Sequence, residues 1–231
     1  MSGIAPRAVV FDFFGTLTPA TTGAAWLADG DRVAGALGVT EEDLHRVLAE
    51  TADDRAVGAL GDLAGTMRAI AERLGADCSP DRIAAACEAR HAALRALFEP
   101  RDGAIDTLVA ARRRGLKIGV LSDCTTELAE AWPDLPYAPY VDAPVFSCVE
   151  GRTKPERELF HDVAARLGTR PSDCVYVGDG GSDELAGATA AGMTAVLLDA
   201  PDRGAGPSRH ADGWTGRRVT RLPDLLGLIG G

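Results

Sequence analysis

The most concentrated apolar signal near the N-terminus is Ala8-Val9-Val10-Phe11, a β-branched and aromatic run that stops at one carboxylate, Asp12. Phe13-Phe14-Gly15-Thr16-Leu17-Thr18 follows, so the pattern predicts a buried strand ending in a turn that presents Asp12 at its carboxyl tip. After Thr18-Pro19 the spacing changes. Apolar positions recur every three or four residues over 24–37, 41–52, 55–74 and 80–98, predicting helices broken around Gly38, Asp53-Asp54 and Gly75-Ala76-Asp77. Thr40 ahead of Asp43 reads as an N-cap, and Ser79-Pro80 as a cap before a first-turn proline.

From residue 99 strands and helices alternate. Helices are expected over 105–114, 126–132, 156–167 and 183–191, and strands over 116–121, 143–148, 174–177 and 194–198. Such alternation predicts an α/β fold, a Rossmann-like parallel sheet with helices on both faces. The helical stretch contains no strand pattern, so it interrupts the sheet: residues 1–17 and 99–231 form the core, and 18–98 an inserted helical bundle. The tail beyond Pro201 reads as loop with a closing helix at 223–229. Strand tips of a parallel sheet share one edge, so Asp12, Ser122 and Asp179 should converge there, joined by Lys154 from a loop.

Composition narrows the function classes. The 231 residues, 46% hydrophobic, suffice for a substantial core. A net charge of −10 argues against a nucleic-acid surface, and Arg112-Arg113-Arg114 reads as a solvated helix end. No apolar run approaches the ~20 residues of a membrane span, and no secretory leader pattern precedes the first strand. Cys78, Cys87, Cys124, Cys148 and Cys174 lack the spacing of a zinc site or disulfide framework. A cytoplasmic protein is expected. Lys117 and Lys154 are the only lysines, and this arginine-rich usage is that of GC-rich bacterial genes.

Three acids, hydroxyls and a lysine at one sheet edge suit displacement on a phosphoryl group. A carboxylate can attack phosphorus, other carboxylates can hold Mg²⁺, and lysine and hydroxyl donors can bind the oxygens on which charge moves. Asp12 fits the nucleophile, while Asp179 and Asp183 fit the metal. Asp12-Phe13-Phe14-Gly15-Thr16-Leu17, Ser122 after Gly119-Val120-Leu121, Lys154-Pro155, and Gly178-Asp179-Gly180-Gly181-Ser182-Asp183 together resemble the four ordered motifs of the haloacid dehalogenase superfamily. A helical cap inserted after the first motif resembles that superfamily's common arrangement. The resemblance implies Asp12 as nucleophile and Mg²⁺ held by Asp12, the Phe14 backbone carbonyl, Asp179 and Asp183. Ser122, Lys154 and Thr16 would serve the transferring group of a small phosphorylated substrate, and Lys154 would temper repulsion among the carboxylates. Asp123, where many relatives have asparagine, would place negative charge near that substrate.

Phe14 departs from the pattern. Phosphatases of the superfamily usually carry there a second aspartate, a general acid for the leaving group. Three readings stand: a Mg²⁺-dependent phosphohydrolase without that acid, a 2-haloacid dehalogenase whose halide needs no proton, or a binding or regulatory protein that has lost turnover. The cap contains no lysine, which argues against the imine chemistry of related phosphonate hydrolases. His45, His91, His161 and His210 read as ordinary histidines, with His45 a substitute acid if it faces the cleft. Trp26 reads as packing, Arg32, Arg46 and Arg55 as solvated unless one meets a substrate anion, and Cys124 as a buried thiol. Gly178, Gly180 and Gly181 have the spacing of a tight turn, not of a nucleotide loop.

Overall fold

The computed structural model describes residues 5–21, 25, 30–202 and 213–229. Trp26, His210 and the start of the first expected bundle helix lie outside them. Among the described residues six strands form one all-parallel sheet of order β3-β2-β1-β4-β5-β6. The strands are β1 (Ala8–Phe11), β2 (Lys117–Ser122), β3 (Ala143–Phe146), β4 (Cys174–Gly178), β5 (Thr194–Leu198) and β6 (Arg217–Val219). Central β1 is buried along its whole length, as a parallel strand covered on both faces requires. Val9 and Phe11 join Val120, Val177 and Leu108 on one face, while Ala8 and Val10 join Val163, Tyr176 and Leu197 on the other.

Register explains the convergence at the sheet edge. Phe11 pairs with Val120 of β2 and Val177 of β4, so Asp12 lies level with Leu121 and Gly178, and Ser122 and Asp179 follow one position further on at the same sheet edge. The Asp12 N–H donates to Val177 O at 2.9 Å, extending the ladder to Asp12. Beneath the turn, the Phe13 ring packs edge-on against Tyr137 and Trp132, at centroid distances of 5.1 and 5.9 Å.

Between residues 30 and 98 the chain is helical and builds a separate apolar cluster that includes Val33, Leu37, Leu44, Met67, Ile70 and Ile83. Thr40 caps the helix Glu41–Glu50 by accepting from Asp43 N. Ser79 differs from expectation: Pro80 does open the helix Pro80–Leu94, but the Ser79 hydroxyl donates back to Asp77 and makes no cap bond. The single helix expected over 55–74 is two, Ala52–Ala56 and Leu63–Arg73, separated at Gly58 and Gly61, both left-handed. Gly58 is required there, since a Cβ would sit 1.9 Å from Cys148 O, where this block meets the core. The Cys148 end of the expected 143–148 strand is likewise helical, in Ser147–Glu150.

Arg101 ties the outgoing and returning chains together. Its backbone N–H reaches Leu17 O, and its guanidinium donates to Gly15 O, Thr16 O and Asp202 Oδ1 at 2.8, 3.1 and 2.7 Å. Asp202 in turn accepts from Ala20 N. Within the described part of the tail, 213–229, β6 pairs with β5 and the short helix Leu225–Leu228 seats Leu225 in the core, more structure than its composition suggests. No described helix is long and apolar enough to cross a membrane.

Sheet and covering helix meet closely at Gly119 of β2, where an added Cβ would lie 2.8 Å from Val163 Cγ2 and 3.1 Å from Leu167 Cδ1. Gly119→Ala is therefore expected to lower stability by about 1–3 kcal/mol through overpacking. Urea denaturation checks this, and an unchanged midpoint would contradict it.

Candidate active site

The turn after β1 is wide, running Phe13–Leu17, with Phe14 extended (φ −73°, ψ 130°) and Gly15 left-handed (φ 76°). Glycine is required at 15 twice over: a side chain would strain the backbone, and its Cβ would sit 2.5 Å from Asp179 Oδ2. This close approach brings the carboxylates of the first and last motifs together. Asp12, Asp179 and Glu184 offer carboxylate oxygens that all lie within 4.8 Å of one another, each residue buried.

Lys154 enters from the loop before the helix Arg157–Arg166, with a cis peptide to Pro155. Its ammonium lies 2.7 Å from Asp12 Oδ1 and 2.6 Å from Glu184 Oε2. Tyr176 OH donates to the same Glu184 oxygen at 2.7 Å, and Gly180 N to Glu184 Oε1 at 2.8 Å. Burial alone would lower the Lys154 pKa, but Asp12 and Glu184 outweigh it and hold the ammonium well above its ordinary value. Asp12 moves the other way for an acid. Burial first, then the Glu184 carboxylate, raise its pKa well above the usual range despite Lys154.

Most of the expected residues meet here. Ser122 is fully buried at the tip of β2, its hydroxyl donating to Asp123 O at 3.3 Å. Thr16 is also buried, and its Oγ1 has no hydrogen-bond partner in the described structure, an orphan that costs about 1–3 kcal/mol unless a ligand satisfies it. The Phe14 ring packs on Phe13 and Phe98, at 5.0 and 6.2 Å between centroids. Asp123 has a further role in the fold: its Oδ1 accepts from Lys154 N at 2.9 Å, so the carboxylate fastens the lysine loop to the tip of β2.

Asp183 is placed differently from its neighbours in the set. It is exposed, in a left-handed turn with Ser182 (φ 51° and 52°), and Glu184 is the acid that joins Asp12 and Asp179. The helix Glu184–Ala190 buries Glu184, Leu185, Gly187 and Ala188, so its inner face begins at Glu184. That periodicity was the available signal for Glu184, as the run from Leu185 to Ala188 fixes which of the adjacent acids points inward. Tyr176, a polar tip in an apolar strand, was the other residue sequence reasoning passed over.

Outside the cluster, His91 pairs with Glu130, His161 accepts from Arg157, and Arg46 pairs with Asp43 and Glu50 on an exposed face. His45 Nε2 sits 3.6 Å from Glu41 Oε1 and faces Gly30. The placements of His91, His161 and Arg46 are those of ordinary surface side chains, whereas His45 lines a cavity beside the tip of β2 and its Nε2 has no hydrogen-bond partner among the described residues.

A profile of the haloacid dehalogenase-like hydrolases matches residues 6–192. A glyceraldehyde 3-phosphate phosphatase of Methanopyrus kandleri is 32% identical over 161 residues, covering 69% of this chain and 67% of the relative. Among solved structures, a 2-haloacid dehalogenase from Pseudomonas syringae pv. Tomato superposes with a TM-score of 0.68 at 22% identity, covering 97% of this chain and 98% of the other. A HAD phosphatase from Thermococcus onnurineus gives 0.64 at 22% identity with the same coverage. Dehalogenase and phosphatase thus share this fold to a similar degree, and the side chains must separate them.

Replacing Lys154 leaves buried carboxylates facing one another. Lys154→Met is expected to cost about 3–5 kcal/mol in metal-free buffer, the usual effect of breaking a buried pair, and adding Glu184→Gln should recover part of it. A denaturant double-mutant cycle measures this, and purely additive losses would contradict the coupling.

Proposed function

Because the chain belongs to the haloacid dehalogenase-like hydrolase family, we propose that it is a Mg²⁺-assisted phosphohydrolase acting on a small phosphorylated metabolite through an aspartyl-phosphate at Asp12. The observation that carries this reading is the buried trio Asp12, Asp179 and Glu184, within 4.8 Å of one another and ion-paired to Lys154. A halide-releasing site needs no such concentration of negative charge. All-oxygen donors at this spacing fit a hard divalent cation. Asp12, Asp179 and the Phe14 backbone carbonyl would hold Mg²⁺, with Glu184, or Asp183 through water, beside it. Bound there, the ion would offset the carboxylates' repulsion of an anionic substrate and keep Asp12 ionised against the upward pull on its pKa.

The chain's own groups then divide the work. Asp12 attacks phosphorus in line with the departing oxygen, and water later attacks the acyl-phosphate to release inorganic phosphate and restore the carboxylate. Lys154 and the Ser122 and Thr16 hydroxyls donate to the phosphoryl oxygens as charge develops on them. The helical block 18–98 acts as the cap over this edge and excludes water.

Phe14 limits the leaving group. A phenylalanine neither donates nor accepts a proton, and general acid catalysis is worth about 10²–10⁴-fold. The enzyme therefore hydrolyses esters with good leaving groups fastest, and a native alkyl phosphate is turned over slowly. The glyceraldehyde 3-phosphate phosphatase among its relatives supports a phosphate ester on a short carbon chain as the substrate class. The aromatic residue at 14 is also the one feature that favours the second reading, a 2-haloacid dehalogenase, whose signature would be metal-independent halide release.

An aryl phosphate with a good leaving group tests the first reading. Phosphate release should require Mg²⁺ and fall below detection in Asp12→Asn; turnover that survives either change would refute it. In parallel, Phe14→Asp should raise the ratio of alkyl to aryl phosphate turnover by about 10²-fold or more. A ratio that does not move would show that Phe14 is not where the proton transfer is missing.

A further inference from the structure

Beside the tip of β2 the helical block and the core enclose a cavity of about 430 Å³ that both Arg55 and Asp123 line. Asp123 directly follows Ser122 and fastens the Lys154 loop, so the cavity adjoins the phosphoryl-binding residues. Its remaining wall is largely apolar, with Leu48, Ala52, Ala56 and Cys124. Arg55 belongs to the short helix Ala52–Ala56, and one hydroxyl pins that helix to the core. Ser147 Oγ lies 2.7 Å from Ala56 O as donor and accepts from Cys124 N at 2.9 Å. Arg55 is thus held in fixed relation to the loop after Ser122.

The charge balance of this cavity is uneven. Arg90, 5% exposed, donates from Nε to Glu127 Oε1 at 2.9 Å. Arg55 has no such carboxylate: among the described residues it makes no ion pair, and its donors reach Leu48 O at 2.7 Å and Thr51 Oγ1 at 3.3 Å. Those bonds use Nη2 and Nε and leave Nη1 with no acceptor. Burial first, then the nearby Arg90 guanidinium, push the Arg55 pKa below its usual value, against a smaller opposing pull from the Glu127 carboxylate. Asp123 lines the same cavity but forms no ion pair with Arg55, its Oδ1 accepting instead from Lys154 N. A half-buried guanidinium against apolar walls is costly unless an anion completes it.

We propose that Arg55 reads the tail of the substrate: the cavity accepts a phosphate ester whose far end carries a second anionic group, a carboxylate or another phosphate, which ion-pairs with the open Nη1 side of Arg55. This rests on the phosphohydrolase reading and narrows its substrate class to dianionic-tailed or acidic phosphometabolites. Arg90, paired with Glu127, lies beside Arg55 and needs no ligand of its own.

Non-hydrolysable phosphonates separate tail recognition from turnover. Titration calorimetry with Mg²⁺ would compare propylphosphonate, with a neutral tail, against 3-phosphonopropionate and propane-1,3-bisphosphonate, whose tails are a carboxylate and a second phosphonate. The intact protein should bind at least one anionic-tailed probe about tenfold tighter than propylphosphonate, as a charge-assisted pair provides. Which of the two wins identifies the tail. Arg55→Met should erase the gap while leaving propylphosphonate affinity within about twofold, and Arg55→Lys should keep part of it. Equal affinities in the intact protein, or a gap that persists in Arg55→Met, would overturn the inference. Because the first of these outcomes uses no variant, it holds even if Arg55→Met fails to fold. Absence of aryl phosphate hydrolysis alongside an intact tail preference would overturn the phosphohydrolase reading and leave Arg55 as an anion-recognising residue.

Discussion

One buried ammonium, Lys154, stands between carboxylates that would otherwise repel one another. Asp12 and Glu184 both lie within 2.7 Å of its nitrogen, and Asp179 completes the trio. Much of the local backbone follows from that crowding. Gly178 has no room for a side chain, because a Cβ would fall 2.0 Å from Glu184 Oε1, and Gly15 is excluded from bearing one by Asp179. The left-handed turn at Ser182 and Asp183 then starts the next helix with Glu184 turned inward. Even the Asp123 carboxylate is recruited to hold the lysine's backbone. A site so rich in negative charge is unfavourable on its own and becomes reasonable when a divalent cation and an anionic substrate share it.

Much of this arrangement was legible in the chain. Strand runs such as 8–11 and 194–198 announce themselves because parallel strands buried on both faces are continuously apolar, and their order placed Asp12, Ser122 and Asp179 at one edge. What stayed hidden depends on contacts distant in sequence. The choice between Asp183 and Glu184 turns on helix phase after a left-handed turn, and the break at Gly58 on a core carbonyl in the way. β6, three residues in an arginine-rich stretch, is a strand because β5 offers an open edge, not through any apolar pattern of its own. Arg55 is a case of the same kind: its neighbours in sequence suggest a solvated helix, and only the fold places it against the core.

Phe14 sits in the scaffold without disturbing it. Its backbone takes part in the wide turn that any residue can make there, while its ring joins Phe13 and Phe98 over the core. Phe98 closes the helical block, and Arg101 binds the returning chain to Gly15, Thr16 and Asp202. The turn after Asp12, the two connections to the helical block and Asp202 are therefore one hydrogen-bonded unit. These bonds connect the helical block directly to the turn bearing Asp12.

The central claim is that Asp12 becomes covalently phosphorylated. Acid quench during steady-state hydrolysis of an aryl phosphate with Mg²⁺, followed by borohydride reduction, converts an aspartyl-phosphate to homoserine. Peptide mass spectrometry should then find homoserine at position 12 and at no other acid. Continued turnover with Asp12 unmodified at every quench time, or homoserine at a different acid, would contradict the account.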